Sequence, residues 1–252
     1  MKITELVPSA EQRIVSLEIE KNGVARLFRR KEDDSVESFT LAFRPYILAI
    51  DAGLMRGFDC NYEAIDLSGN HEFRSLLLFD SPKDYDAAKK HLKMLTGFAS
   101  GSPNAPYLAS NDLIQQALIQ LQIRLFAGMN FNQVRRMQID IETLCTPGYS
   151  FSNPCRENDA VCIIGMCDNT GWECVLSLKD YSEKDMLQKF VEVVQSRDPD
   201  IIEGHNFFRF DLPYIEQRCK RHKVKLSLGR DGSAPDKHNS RFNIAERTVN
   251  YT

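Results

Sequence analysis

The chain has 252 residues, 42% of them hydrophobic and 27% charged, with a formal net charge of -3. That length suits two folding units, and the composition is that of a chain able to bury a core rather than of a disordered one. No run approaches the roughly 18 apolar residues that span a bilayer, the first residues lead into no signal-peptide h-region, and the small negative charge gives no global attraction for nucleic acid, so the sequence reads as cytoplasmic with any nucleic-acid contact local.

Ile14–Ile19 alternates apolar with polar residues, Lys21-Asn22-Gly23 makes a turn, and Val24–Arg30 resumes an extended pattern, which predicts a hairpin. Further strands are expected over 39–43 and 46–50, around Arg44-Pro45, and over 74–79, where Leu76-Leu77-Leu78-Phe79 suggests burial on both faces. Ser81-Pro82-Lys83-Asp84 sets a capping serine, a proline at the first helical position and an acid in the first turn, ahead of a helix over 85–95. Residues 96–109, rich in Gly, Ser and Pro, read as a loop. Residues 112–126 repeat Leu113, Ala117, Leu121 and Ile114, Leu118, Leu125 at helical spacing. After Gly128 the pattern becomes an α/β alternation: strands over 135–144, 160–167 and 172–177, a helix over 182–196, a strand over 200–203 and a helix over 212–222. The boundary falls near residue 130, giving domains 1–130 and 131–252. Residues 247–251 look extended, and an end inside a strand suggests a piece of a longer chain. Seven cysteines, without a C-x-x-C pair, predict reduced thiols rather than a disulfide framework or zinc ribbon. Basic runs at 26–31 and 218–225 read either as solvated faces or as local phosphate contacts.

Asp140 and Glu142 stand two positions apart on an expected strand, so their side chains leave one face, roughly 6.5 to 7 Å apart along the backbone. Ile139 and Ile141 would face the other way, against a helix. Two carboxylates this close call for a compensating cation, and Mg²⁺ and Mn²⁺ are the hard ions that oxygen ligands favour. A solvated strand face gives the same pattern, so the pair alone leaves both readings open. Residues 201–206 form an apolar strand running into Gly204, and Phe207-Phe208-Arg209-Phe210 leads to Asp211 at a helix start. Asp211 reads either as an N-cap or as a ligand at the carboxyl end of a strand, where α/β sheets place their ligands. Local physics does not separate the two.

RRMQIDIET (135–143) with EGHNFFRFDLPYI (203–215) resembles the first and second exonuclease motifs of family B DNA polymerases, in their order and at a plausible separation. FRPYILA (43–49) is similar to the Phe-x-Pro-Tyr segment of that family's N-terminal domain, and RLFAGMNF (124–131) to the approach to the exonuclease in bacterial members. The resemblance covers nearly the whole chain. It implies an α/β and α+β protein: an incomplete RNase H-like 3′-5′ exonuclease domain behind a mixed β-rich N-terminal domain. It also implies that Asp140, Glu142 and Asp211 are catalytic as ligands of two Mg²⁺ or Mn²⁺ ions, one activating a water and the other stabilising the leaving 3′ oxygen, with no protein nucleophile. Asn206 becomes a substrate contact. Phe207 and Phe210, with Phe208, are candidates to stack on frayed bases of a DNA 3′ end, the alternative being core packing. His205 reads as structural.

The family's third motif, a tyrosine followed by an aspartate on a later helix, has no counterpart before Thr252, so those two residues stay unassigned. Three carboxylates set about -3 against +4 from two ions, which predicts a weakly held second metal and poor activity for this chain by itself. The implied parent is a bacterial-type DNA polymerase that extends and proofreads primers in the cytoplasm, at the nucleoid. Two rivals stand beside it: a stand-alone exonuclease of the same superfamily, which the 43–49 segment argues against, and a non-catalytic nucleic-acid binding module.

Overall fold

The structure is a computed structural model that describes residues 9–236 and, for two further strands, Ser240–Ile244 and Arg247–Tyr251, the backbone alone. The chain divides into two compact units, Met1–Asn130 and Phe131–Thr252.

In the first unit, strands β1 (Ile14–Ile19), β2 (Val24–Arg30) and β3 (Val36–Ala42) form an antiparallel sheet in that order. A second antiparallel sheet has the order β5-β6-β4-β7, built from β4 (Tyr46–Ala49), β5 (Tyr62–Asp66), β6 (Ser75–Phe79) and β7 (Tyr107–Leu108). Helix α1 (Pro82–Thr96) starts at the cap in which the Ser81 hydroxyl accepts from Asp84 N, and it ends at Gly97, whose φ of 74° few other residues adopt without strain. Its Tyr85, Ala88 and Leu92 bury against Ile47, Leu77 and Phe79. The basic run at 26–31 is a set of cross-strand pairs. Arg26 meets Glu18 and Glu20, Arg29 meets Glu11 and Glu37, and Arg30 is buried and donates to the Asp34 carbonyl.

Two expectations change here. Helix α2 covers only Leu113–Gln120, because Gln122 and Phe126 take φ of 54° and 62°. The chain turns instead, and Phe126 N donates to Ile14 O at 2.7 Å, tying the segment to β1. The segment 96–109, expected as a loop, contributes the two-residue β7, which extends the second sheet by pairing with Leu48 and Ala49.

In the second unit, β8 (Arg136–Thr143), β9 (Val161–Asp168), β10 (Glu173–Ser177) and β11 (Ile201–Glu203) form a sheet of order β10-β9-β8-β11. The first three are antiparallel neighbours, and β11 joins β8 in parallel after a crossover through α3 (Glu183–Arg197). Helix α4 is Asp211–His222. Met137, Ile139 and Ile141 of β8, with Ile164 and Met166 of β9, pack against Leu187, Phe190 and Val194 of α3 and Leu212 and Ile215 of α4. Both helices therefore cover one face of the sheet. The last two strands, β12 (Ser240–Ile244) and β13 (Arg247–Tyr251), pair antiparallel. Among the described residues no helix is long and apolar enough to cross a membrane.

Candidate functional site

Strand β8 sorts its side chains by parity. Met137, Ile139 and Ile141 are buried, while Gln138, Asp140 and Glu142 are exposed. The two acids thus share the sheet face that the helices leave open, and neither makes a hydrogen bond or ion pair among the described residues. Gly165 of β9 stands opposite Asp140 and keeps the face flat beside it. A groove of about 710 Å³ runs over this face, lined by Gln138, Asp140, Gly165, Glu203, Gly204 and His205.

The parallel ladder between β11 and β8 stops at Glu203 opposite Gln138. At the next residue, Gly204, a β-carbon would lie 2.5 Å from the Ile139 carbonyl oxygen, so only glycine lets the chain pass that close. Beyond this point the edge of β8 has no strand partner among the described residues. The Ile141 N–H on that edge donates instead to Asp211 Oδ1, 3.2 Å away. Asp211 is 3% exposed and opens α4, yet the residue in the capping position is Phe210, which makes no side-chain cap bond. The bond to Ile141, between residues 70 apart in sequence, is therefore what the Asp211 carboxylate provides to the fold. Burial pushes its pKa up and the Asp140 charge adds to this, against the backbone hydrogen bonds that favour the anion.

The turn from 204 to 210 has its own geometry. Asn206 takes a φ of 58°, which asparagine tolerates better than most residues, and its carbonyl accepts from Arg209 N and Phe210 N. Its side chain is exposed, as is that of His205. The expectation that Phe207 stacks on a base is corrected: its ring is 2% exposed and belongs to the core under the sheet. Phe208 and Phe210 are the exposed rings of this turn, with Phe210 resting 5.4 Å from the ring of Tyr214. Among the described residues no three His, Cys, Asp or Glu side chains converge closely enough to hold a metal as they stand.

Sequence reasoning missed a second, buried polar layer. Tyr214 donates to the Asp159 carbonyl at 2.7 Å. Arg218, read as part of a basic surface run, is 1% exposed and paired with Glu183. Three more residues of that run are engaged: Lys220 with Glu216, Arg221 with Glu157, and His222 with Glu183. Asp159 is fully buried and accepts from Thr146 N, Asn153 N and Arg156 Nε, folding the 144–160 connection back on itself. The available signal was the i, i+3, i+7 spacing of Asp211, Tyr214 and Arg218, which places all three on one stripe of α4.

Known proteins resemble this chain in sequence and in fold. The DNA polymerase of Pyrococcus glycovorans is 25% identical over 241 residues, a match that takes in 84% of this chain and 29% of that polymerase. DNA polymerase 2 of Aeropyrum pernix is 39% identical over 103 residues, 40% of this chain and 12% of its own length. The chain thus spans under a third of these relatives, and they are archaeal, which corrects the bacterial placement suggested by residues 124–131. The solved structure of the family B DNA polymerase from the hyperthermophilic archaeon Pyrobaculum calidifontis superposes with a TM-score of 0.63 at 19% identity, over 88% of this chain and 34% of that one, and so shares the fold. The profile described as "DNA polymerase family B, exonuclease domain" matches residues 120–251, more than half of the chain. The chain belongs to the family B DNA polymerases, through their exonuclease domain.

Proposed function

We propose that this chain carries the 3′-5′ exonuclease centre of a DNA polymerase that extends primers and proofreads them, with Asp140, Glu142 and Asp211 as its divalent-metal ligands. One observation carries the reading: two unengaged carboxylates on the open face of β8 stand beside a buried third that is bonded to the same strand. All three are hard oxygen donors of the kind that suits Mg²⁺ or Mn²⁺, and positive charge would offset the burial and repulsion that raise the Asp211 pKa. When bound, such ions supply an activated water and charge stabilisation for the leaving 3′ oxygen.

The chain's own residues do the positioning. Ile141 N–H holds the Asp211 carboxylate beside β8, and Gly204 lets the 204–210 turn lie against that strand. Asn206 offers an exposed amide at the turn, and the rings of Phe208 and Phe210 offer stacking faces to unpaired bases. The open face is acidic and by itself repels a phosphate backbone. On this reading residues 1–130 are the family's N-terminal domain, the partner is a single-stranded DNA 3′ end or a primer-template, and the site of action is the cytoplasm, alongside the chromosome. Three carboxylates offset about -3 of the +4 that two ions bring, so this chain alone works slowly.

The test is digestion of 3′-labelled single-stranded and primer-template DNA in Mn²⁺, with protein in excess. Slow stepwise shortening from the 3′ end, faster on the single strand and absent in Asp140→Ala, is expected. Shortening that survives Asp140→Ala, or cleavage away from the 3′ end, overturns the assignment.

A further inference from the structure

We propose that Arg218 is a positioning residue for the acid centre: it fixes where α4 lies along β8, and thereby where the Asp211 carboxylate sits beside Asp140. Its consequence for metal binding rests on the function proposed above; its geometry does not. Asp211, Tyr214 and Arg218 follow one another at i, i+3 and i+7 and all three are buried; Asp211 bonds to β8 itself, and Tyr214 and Arg218 bond to the connection that follows it. Seven residues at 1.5 Å of rise set Asp211 and Arg218 about 10 Å apart along the helix, enough for two anchors to define both its slide and its tilt.

The two anchors differ in strength. Asp211 holds β8 by one hydrogen bond of 3.2 Å. Arg218 uses its whole fork: Nε donates to Glu183 Oε1 at 2.7 Å, one terminal nitrogen donates to the carbonyls of Pro154 and Arg156 at 3.1 and 2.7 Å, and the other to the Glu157 carbonyl at 3.1 Å and to the second Glu183 oxygen. A guanidinium with its donors filled in this planar way is stiff, and lysine cannot reproduce it.

Glu183 extends the anchorage. It is the first residue of α3 and also accepts from Val161 N at 2.9 Å. Val161 opens β9 and pairs with Thr143, the residue after Glu142. Arg218 therefore links α4, the start of α3, the start of β9 and the connection that returns from β8, while the helix's opposite end delivers Asp211 to the site. Position is set at Arg218 and read out at Asp211.

The experiment compares wild type, Arg218→Met and Arg218→Lys, each confirmed folded by near-ultraviolet circular dichroism and held well below its unfolding midpoint. Two quantities are read: Mn²⁺ affinity by electron paramagnetic resonance, and hydrogen exchange at the Ile141 amide by NMR in metal-free buffer. Arg218→Met is expected to weaken Mn²⁺ binding by about tenfold, because a shifted α4 carries the Asp211 carboxylate out of its place beside β8. It should also speed exchange at Ile141 while the amides of Ile139 and Met166 keep their protection. Arg218→Lys should fall between the two, and millimolar guanidinium added to Arg218→Ala should restore part of both signals. If Arg218→Met does not fold, the lysine and alanine variants carry the same comparison. Unchanged Ile141 exchange and unchanged Mn²⁺ affinity in folded variants overturn the proposal. If wild type binds no Mn²⁺, the metal-site reading fails, and Ile141 exchange alone then decides the positioning claim.

Discussion

Replacing Asp211 by asparagine separates what its carboxylate contributes to the fold from what it costs. The carboxylate is 3% exposed, accepts one bond from Ile141 N, and lies close enough to Asp140 to feel its charge. Asparagine keeps an acceptor for Ile141 and removes the buried charge. The loss is the attraction of an anion to the start of α4, worth about 0.3 to 1 kcal/mol. The direction of its pKa shift says that the surroundings disfavour the charge. Without metal, Asp211→Asn should thus be at least as stable as wild type at pH 7. Alanine instead leaves a buried N–H unpaired, which costs about 1 to 3 kcal/mol. For a unit spanning Phe131–Thr252, a gap of about 2 kcal/mol between the two variants corresponds to roughly 8 °C in unfolding midpoint. The sign with pH also follows. An acid whose folded pKa is raised penalises the fold at pH values above it, and the penalty fades as pH falls toward the unfolded value of about 4, so the advantage of asparagine over wild type should shrink on acidification. Calorimetry in EDTA from pH 4 to 8 measures all three proteins. An asparagine variant as unstable as the alanine variant would refute the reasoning, because charge rather than the acceptor would then be what holds α4 to β8.

Three further outcomes follow from the same geometry. Gly204→Ala puts a β-carbon 2.5 Å from Ile139 O and 3.2 Å from Phe207 Cβ, both hard to move. It should cost about 1 to 3 kcal/mol and speed amide exchange along the Asp140 segment; an unchanged denaturation midpoint would contradict this. Phe207→Ala should lose about 3 to 5 kcal/mol of stability, whereas Phe208→Ala should stay within about 0.5 kcal/mol and weaken single-strand DNA binding, as paired denaturation and fluorescence anisotropy titrations would show. Burial pushes the Asp168 pKa up, but the hydrogen bonds from Thr170 and Arg197 outweigh it and bring the value to about 2. Its stabilisation is therefore present above about pH 4 and is lost as pH falls toward 2, and Asp168→Asn should flatten the pH dependence of urea midpoints in that window.

The parts of this molecule that local rules decide were legible in the sequence. Alternation along β8 placed Asp140 and Glu142 opposite the buried isoleucines, and the serine at 81 marked the start of α1. Other features depend on partners far away in sequence. The short β7 is a strand only because β4 offers it an edge, and α2 stops at Gln120 because residues 122 and 126 adopt left-handed backbone without a glycine to announce it. The 204–210 turn has no period, so nothing local said which of its phenylalanines points inward. Arg218 sat in a run of cations that looks solvated by composition, and its burial is visible only once Glu183 and the carbonyls of the 154–157 segment are seen to surround it.

The most direct measurement of the central claim is Mn²⁺ binding to the chain, followed by electron paramagnetic resonance at neutral pH. Wild type should remove the free-ion signal in the millimolar range or below. Asp140→Asn and Asp211→Asn should each weaken binding by about tenfold or more and together abolish it, while both proteins remain folded. Equal Mn²⁺ binding in wild type and in the folded double variant would contradict the assignment of these carboxylates to one metal centre.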